Sequence, residues 1–220
     1  MCDRNAGLST LCLEDIAMAG CRVWKWGGGV IVGMGALCYL AGNAGAIEVN
    51  LDPTAVQKAL DEGRQIKEVK TVPTRFGADL SKDICGGGGE VQTKAVGLNR
   101  LGALIAADPE RAERDKAQVD QAIQKMVDAK RLKIVFDFCG DTPDFAEDSQ
   151  ATLEQEGRQI KGEMAKPDKA KKNVEGPAYR GKIAASFPYG SFDPKKVTKI
   201  TLYPKAGDAM SWEMDFSKIK

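Results

Sequence analysis

Leu132-Lys133-Ile134-Val135-Phe136-Asp137-Phe138 is the stretch on which the fold turns. Leu132, Ile134, Phe136 and Phe138 recur at every second position. The run is dense in β-formers, so it reads as a strand with one buried face. The pattern before it is helical and the pattern after it is strand-like. Helices in one half and strands in the other define an α+β chain.

Upstream, Asp52-Pro53 reads as an N-cap followed by the first helical position. Ala55, Val56, Ala59 and Leu60 then share a face, and Gly63 is a candidate stop. Val69–Gly77 reads as irregular or extended, and Glu90–Lys94 as a short strand. Leu98, Leu101, Leu104 and Ile105 suit a buried helix over Val96–Ala107. Pro109–Lys130 reads as one helix. Asp108 caps it, Glu110 and Glu113 lie in its positive first turn, and Lys130 and Arg131 suit its negative end. Val119, Ala122, Ile123, Met126 and Val127 form a single apolar stripe along it.

Downstream, Thr152–Lys161 reads as a hairpin with Glu156-Gly157 at its turn. Strands are expected at Tyr179–Phe187, around Val197–Tyr203 and at Met210–Phe216. Short strands separated by turn signals point to an antiparallel β-sandwich, with the immunoglobulin-like arrangement as one form of it. The organisation is therefore an export signal with upstream extension at 1–46, a helical region at 47–130 and a β-rich, sandwich-like domain at 131–220. One echo crosses that division. Glu62-Gly63-Arg64-Gln65-Ile66-Lys67 recurs as Glu156-Gly157-Arg158-Gln159-Ile160-Lys161. A true duplication predicts like structure at both copies and a match extending further than six residues.

The signal assignment rests on Arg22 and Lys25, an uncharged run from Gly27 to Gly42, and the small-residue exit Ala44-Gly45-Ala46. Met18 then serves as the natural start, because Glu14 and Asp15 do not suit a signal's basic leader. The competing reading is a retained anchor over residues 27–47. Four of the six cysteines fall in or before the signal. Cys85 and Cys139 remain, and in an oxidising compartment they are expected to form one disulfide. Localisation follows as periplasmic or extracellular, with a bacterial envelope as the setting.

The formal charge of the whole chain is +1. Removing Arg4, Arg22 and Lys25 with Asp3, Glu14 and Asp15 leaves it unchanged. So even a balance gives no basis for a nucleic-acid partner, and membrane contact is expected only through residues 27–47 if they are not cleaved. Histidine is absent, which rules out His-based triads, His metal ligation and His proton shuttles. The Gly86–Gly89 run lacks the Gly-Lys-Ser/Thr ending of a phosphate loop.

Asp137, Asp141, Asp144, Glu147 and Asp148 crowd the region after the first strand. They form a calcium candidate by oxygen chemistry, without EF-hand spacing. No other cofactor is implied. Tyr189 and Phe192, in a Gly-Ser turn, are the expected exposed ligand surface. The function that fits this inventory is an exported, non-enzymatic binding or accessory protein for a protein or glycan ligand. Two alternatives remain. One is an exported carboxylate-dependent hydrolase, with Asp137 and Asp144 offered as its acids. The other is a membrane-tethered structural protein.

Overall fold

The computed structural model describes residues 46–66, 74–79, 83, 85–173 and 176–219. The export signal, the Met18 start and the anchor reading lie outside these residues. Among the described residues no helix is long and apolar enough to cross a membrane.

The chain opens with α1 (Pro53–Gln65), whose Asp52 carboxylate accepts the Ala55 N–H, as the Asp-Pro pair predicts. Gly63 does not stop this helix but lies inside it. Strands β1 (Arg75–Gly77) and β2 (Gly88–Gln92) follow. Then comes α2 (Lys94–Ala107), capped by Thr93, whose hydroxyl accepts the Val96 N–H. Where α1 and α2 cross, a Cβ on Gly63 would lie 2.0 Å from the Asn99 carbonyl oxygen, and one on Gly102 2.2 Å from that of Leu60. Only glycine lets the two backbones approach this closely. Ala59, Leu60 and Leu98 form the buried centre of this small helical core, with Ile123 and Met126 packed against it. Leu104, expected inside, is 68% exposed. It stands six residues from Leu98 and so falls off the stripe that faces α1.

The single helix expected over Pro109–Lys130 is two: α3 (Pro109–Arg114) and α4 (Lys116–Val127). Asp115 leaves helical geometry at φ −100° and ψ 22°, ending one helix and starting the next. Aspartate competes poorly for interior helical positions, because its side chain favours caps and turns.

The strand that opens the sheet-rich half is β3 (Arg131–Gly140). Leu132, Ile134, Phe136 and Phe138 are all at most 2% exposed, so the alternation places one face in the core. The remaining strands are β4 (Gln150–Gln155), β5 (Arg158–Lys161), β6 (Glu163–Met164), β7 (Lys171–Lys172), β8 (Tyr179–Pro188), β9 (Val197–Tyr203) and β10 (Met210–Asp215). One sheet has the order β1-β2-β3-β8-β6, with β7 also on β8, and the other has the order β10-β9-β4-β5. Every pairing is antiparallel. The β3–β8 ladder runs from Arg131 opposite Pro188 to Gly140 opposite Tyr179. The strands begin before residue 131, since β2 pairs Val91 with Ile134 of β3 and β1 pairs Arg75 with Glu90.

Both sheets drain into one hydrophobic core. Phe136, Ile183 and Phe187 from the first meet Leu153, Ile200 and Leu202 from the second. Trp212 of β10 bridges across, 5.1 Å from Phe76 and 6.2 Å from Phe136 between ring centroids. The architecture is thus mixed α+β, four helices and two antiparallel sheets among the described residues. Phe216, expected at the end of the last strand, lies instead in a short 3-10 turn and is fully buried.

Candidate functional site

The sheet-facing carboxylate and the loop carboxylates are separated by cations rather than gathered round one. Asp137 points from the outer face of β3, opposite Lys182 in the ladder and diagonal to Arg180. Arg180 Nε and Nη2 donate to its two oxygens at 2.7 Å each, and Lys182 Nζ stands 3.8 Å away. A carboxylate that accepts both prongs of a guanidinium has its lone pairs committed. Asp144 and Asp148 share Lys205, whose Nζ is 3.3 Å from the first and 3.6 Å from the second. Hydrogen bonds from Thr142 and Lys205 hold the Asp144 carboxyl below its ordinary range. Asp141 and Glu147 are exposed. Among the described residues no three acidic, cysteine or histidine groups converge as metal ligands. What orders this loop is apolar. Phe145 turns inward against Phe138, with ring centroids 4.8 Å apart in an edge-to-face arrangement.

The same placement weighs against two-carboxylate hydrolysis. That chemistry wants one carboxyl kept protonated in an apolar pocket, facing a second across the bond to be cut. Asp137 is held by Arg180 on a sheet face and Asp144 by Lys205 in an exposed loop.

Cys85 and Cys139 are at bonding distance, S–S 1.97 Å, at a sequence separation of 54. The bridge ties the segment before β2 to the outer face of β3. The Asn173 amide nitrogen lies 3.5 Å from one sulfur and 3.3 Å from the other while donating to the Pro177 carbonyl.

Tyr189 and Phe192 are not the exposed surface expected of them. They are 6% and 8% exposed and belong to the core between the sheets. The chain makes a 3-10 turn over Tyr189–Ser191, which leaves Gly190 outside and swings both aromatic rings inward. Phe192 meets Phe216 edge-on at 5.7 Å. Lys94 Nζ stands 5.5 Å from the centre of the Tyr189 ring and also donates to the Val127 carbonyl at the end of α4. Burial pushes the Tyr189 hydroxyl up to about 12, and burial lowers the Lys94 ammonium below the ordinary lysine value. This pair joins the helices to the sheets.

The feature that sequence reading missed lies beside Phe192. A cleft of about 370 Å³ opens at the turn end of the β4–β5 hairpin, with Ile160 and Phe192 as its apolar lining and Glu156, Arg158, Asp193 and Lys196 around it. Gln155, 8% exposed, sets its walls. Its amide nitrogen donates to the Asp193 carbonyl at 2.8 Å and the Thr198 hydroxyl at 2.7 Å, while its oxygen accepts the Asp193 N–H at 2.8 Å. Lys196 lies 2.6 Å from Glu156, which raises its ammonium above the ordinary value. Arg158 Nη2 donates to the Ser191 carbonyl. The one sequence signal for this cleft was the echo hexapeptide, which supplies Glu156, Arg158 and Ile160.

No protein-family model matches this chain, and neither a curated protein nor a solved structure matches it at a significant level.

Proposed function

We propose that this chain is an exported, non-enzymatic binding or accessory protein whose ligand enters the cleft between the sheets at Ile160 and Phe192. The observation that carries the reading is that cleft: a concave, partly apolar site with walls locked by Gln155 and a charged rim. Such pockets are the default binding sites of a fold, and among the described residues no three acidic, cysteine or histidine groups converge to hold a metal ion. A glycan or a protein segment is the ligand class carried forward from the sequence.

Export is supported by the bonded Cys85–Cys139 pair, because stable disulfides belong to oxidising compartments. Residues 1–46 act as the signal and its extension in this reading, and a retained 27–47 segment would tether the same protein to the membrane. The immunoglobulin-like form of the sandwich belongs to the same proposal. It is supported by two antiparallel sheets around one core, with β3–β4 and β8–β9 crossing side by side from one sheet to the other.

Two measurements test the reading. Fractionation of a bacterial host with intact-mass analysis is expected to find the chain outside the cytoplasm, starting at Ile47, with Cys85 and Cys139 unreactive until reduced. A full-length cytosolic product with two free thiols ends the export reading. Backbone NMR of the protein titrated with oligosaccharides and short peptides is expected to shift resonances around Arg158, Gly190 and Ser191. Shifts gathering elsewhere, or none, end the cleft reading.

A further inference from the structure

We propose that the cleft at Ile160 and Phe192 recognises a small carboxylate carried on an apolar body, with Arg158 as the anion-binding group; this rests on the binding reading above and gives its ligand a chemistry. Four charged side chains stand around the cleft, and three of them face one another, Lys196 being shared by two carboxylates. Lys196 is 2.6 Å from Glu156 and 4.0 Å from Asp193. Arg158 is the exception, with no carboxylate partner among the described residues. One of its nitrogens is tied to the Ser191 carbonyl, which anchors the guanidinium at the rim. Its other N–H donors have no partner among the described residues. An anchored guanidinium with a free fork is matched in shape to a carboxylate and loses little freedom on binding one.

The rest of the lining narrows the ligand further. Gln155 has both ends of its amide occupied, so it holds the wall and offers little to a neutral polar guest. A cation entering the cleft would find both carboxylates already facing Lys196. Ile160 packs against the core and Phe192 is 8% exposed, so the inner surface is apolar in part, at these two residues. A volume of about 370 Å³ lies at the small end of ligand pockets, which run from about 300 to 1,000 Å³. An aromatic or branched aliphatic group bearing one carboxylate satisfies all three demands.

The test is calorimetric titration of the full protein with 3-phenylpropionate and, separately, with 3-phenylpropionamide, its uncharged match in shape. The acid is expected to bind about tenfold more tightly than the amide, the worth of one charge-assisted contact. Arg158→Gln is expected to abolish that preference while leaving amide affinity within about twofold, and Arg158→Lys to keep part of it, since a point charge replaces the fork. Gly190→Leu is expected to weaken both probes. Gly190 lines the cleft and a Cβ there has nothing within 4 Å, so the change fills space without forcing the backbone. Equal binding of acid and amide, or an acid preference that survives Arg158→Gln, overturns anion recognition and leaves an apolar cleft standing. If neither probe binds, or Gly190→Leu changes neither, the cleft itself is not the binding site.

Discussion

Glu-Gly-Arg-Gln-Ile occurs twice in this molecule and folds in two ways. At 62–66 it is the last turn of α1 and its cap. At 156–160 it is the turn of a hairpin and the start of β5. Gly63 sits inside a helix, beneath the Asn99 carbonyl of α2. Gly157 sits at φ 79° beside Glu156 at φ 51°, the left-handed pair of a type I′ turn. Arg64 reaches back to Asp61 at 2.9 Å, one helical turn away, whereas Arg158 reaches across to Ser191. Five residues do not choose a backbone. The flanks choose it: the Asp52-Pro53 start and the Ala59-Leu60 face upstream of one copy, the Ala151-Leu153 alternation upstream of the other.

The same glycine therefore does opposite work in the two copies, and substitution is the sharpest way to break the comparison. Gly63→Ala is expected to destabilise by about 3 kcal/mol in chemical denaturation, because the new methyl meets backbone that cannot yield without parting α1 from α2. In a helix with no such neighbour the same change would stabilise by about 1 kcal/mol, so a gain in stability would mean that the two helices do not cross as described. The next effect tests the joint between the helical and sheet regions. Tyr189 keeps its proton to about pH 12 when folded, against 10.0 for an ordinary tyrosine. The folded state holds that proton longer, so the stabilisation is whole below pH 10 and is lost as pH climbs toward 12. Phenolate absorbance should show a late-titrating component that Tyr189→Phe removes. If every tyrosine ionises together in the folded protein, Tyr189 is not buried.

Smaller again is Gly157→Ala, expected to cost about 1 kcal/mol. Nothing lies within 4 Å of its Cβ, so only the positive φ opposes the change. A loss as large as that of Gly63→Ala would show the hairpin turn to be packed rather than open. Smallest is Glu156→Asn, expected to stabilise by about 0.5 kcal/mol. Asparagine-glycine suits two successive positive φ values, and the exposed pairing with Lys196 that it gives up contributes little. A thermal melt that falls rather than rises would mean that the Glu156–Lys196 contact matters more than the turn.

Legibility along the chain followed the range of the forces involved. The Asp52-Pro53 start, the Glu156-Gly157 turn and the inward face of β3 were all readable, since each depends on residues within a few positions of one another. The break at Asp115 was only half visible: the residue is a poor helix interior, yet the stripe through Ile123 and Met126 disguised it. The exposed Tyr189 and Phe192 surface was misread because a turn's composition reports its backbone and not the direction its rings take. The cleft had no pattern at all. Its lining comes from the β4–β5 hairpin and the turn after β8, elements that meet only when the two sheets close.

Local periodicity, capping and turn chemistry by themselves decided that the chain is α+β, where most elements lie, and that Cys85 and Cys139 were the pair to watch. Only the tertiary structure decided that β1 and β2 extend the sheet begun by β3, that Asp137 is clamped by Arg180, and that Arg158 stands without a carboxylate partner among the described residues, beside a partly apolar cleft. Dihedral preferences and side-chain alternation act over a few residues and can be read in order along a chain. Burial and charge pairing depend on which distant segments come together, and that is set by how the whole hydrophobic core closes.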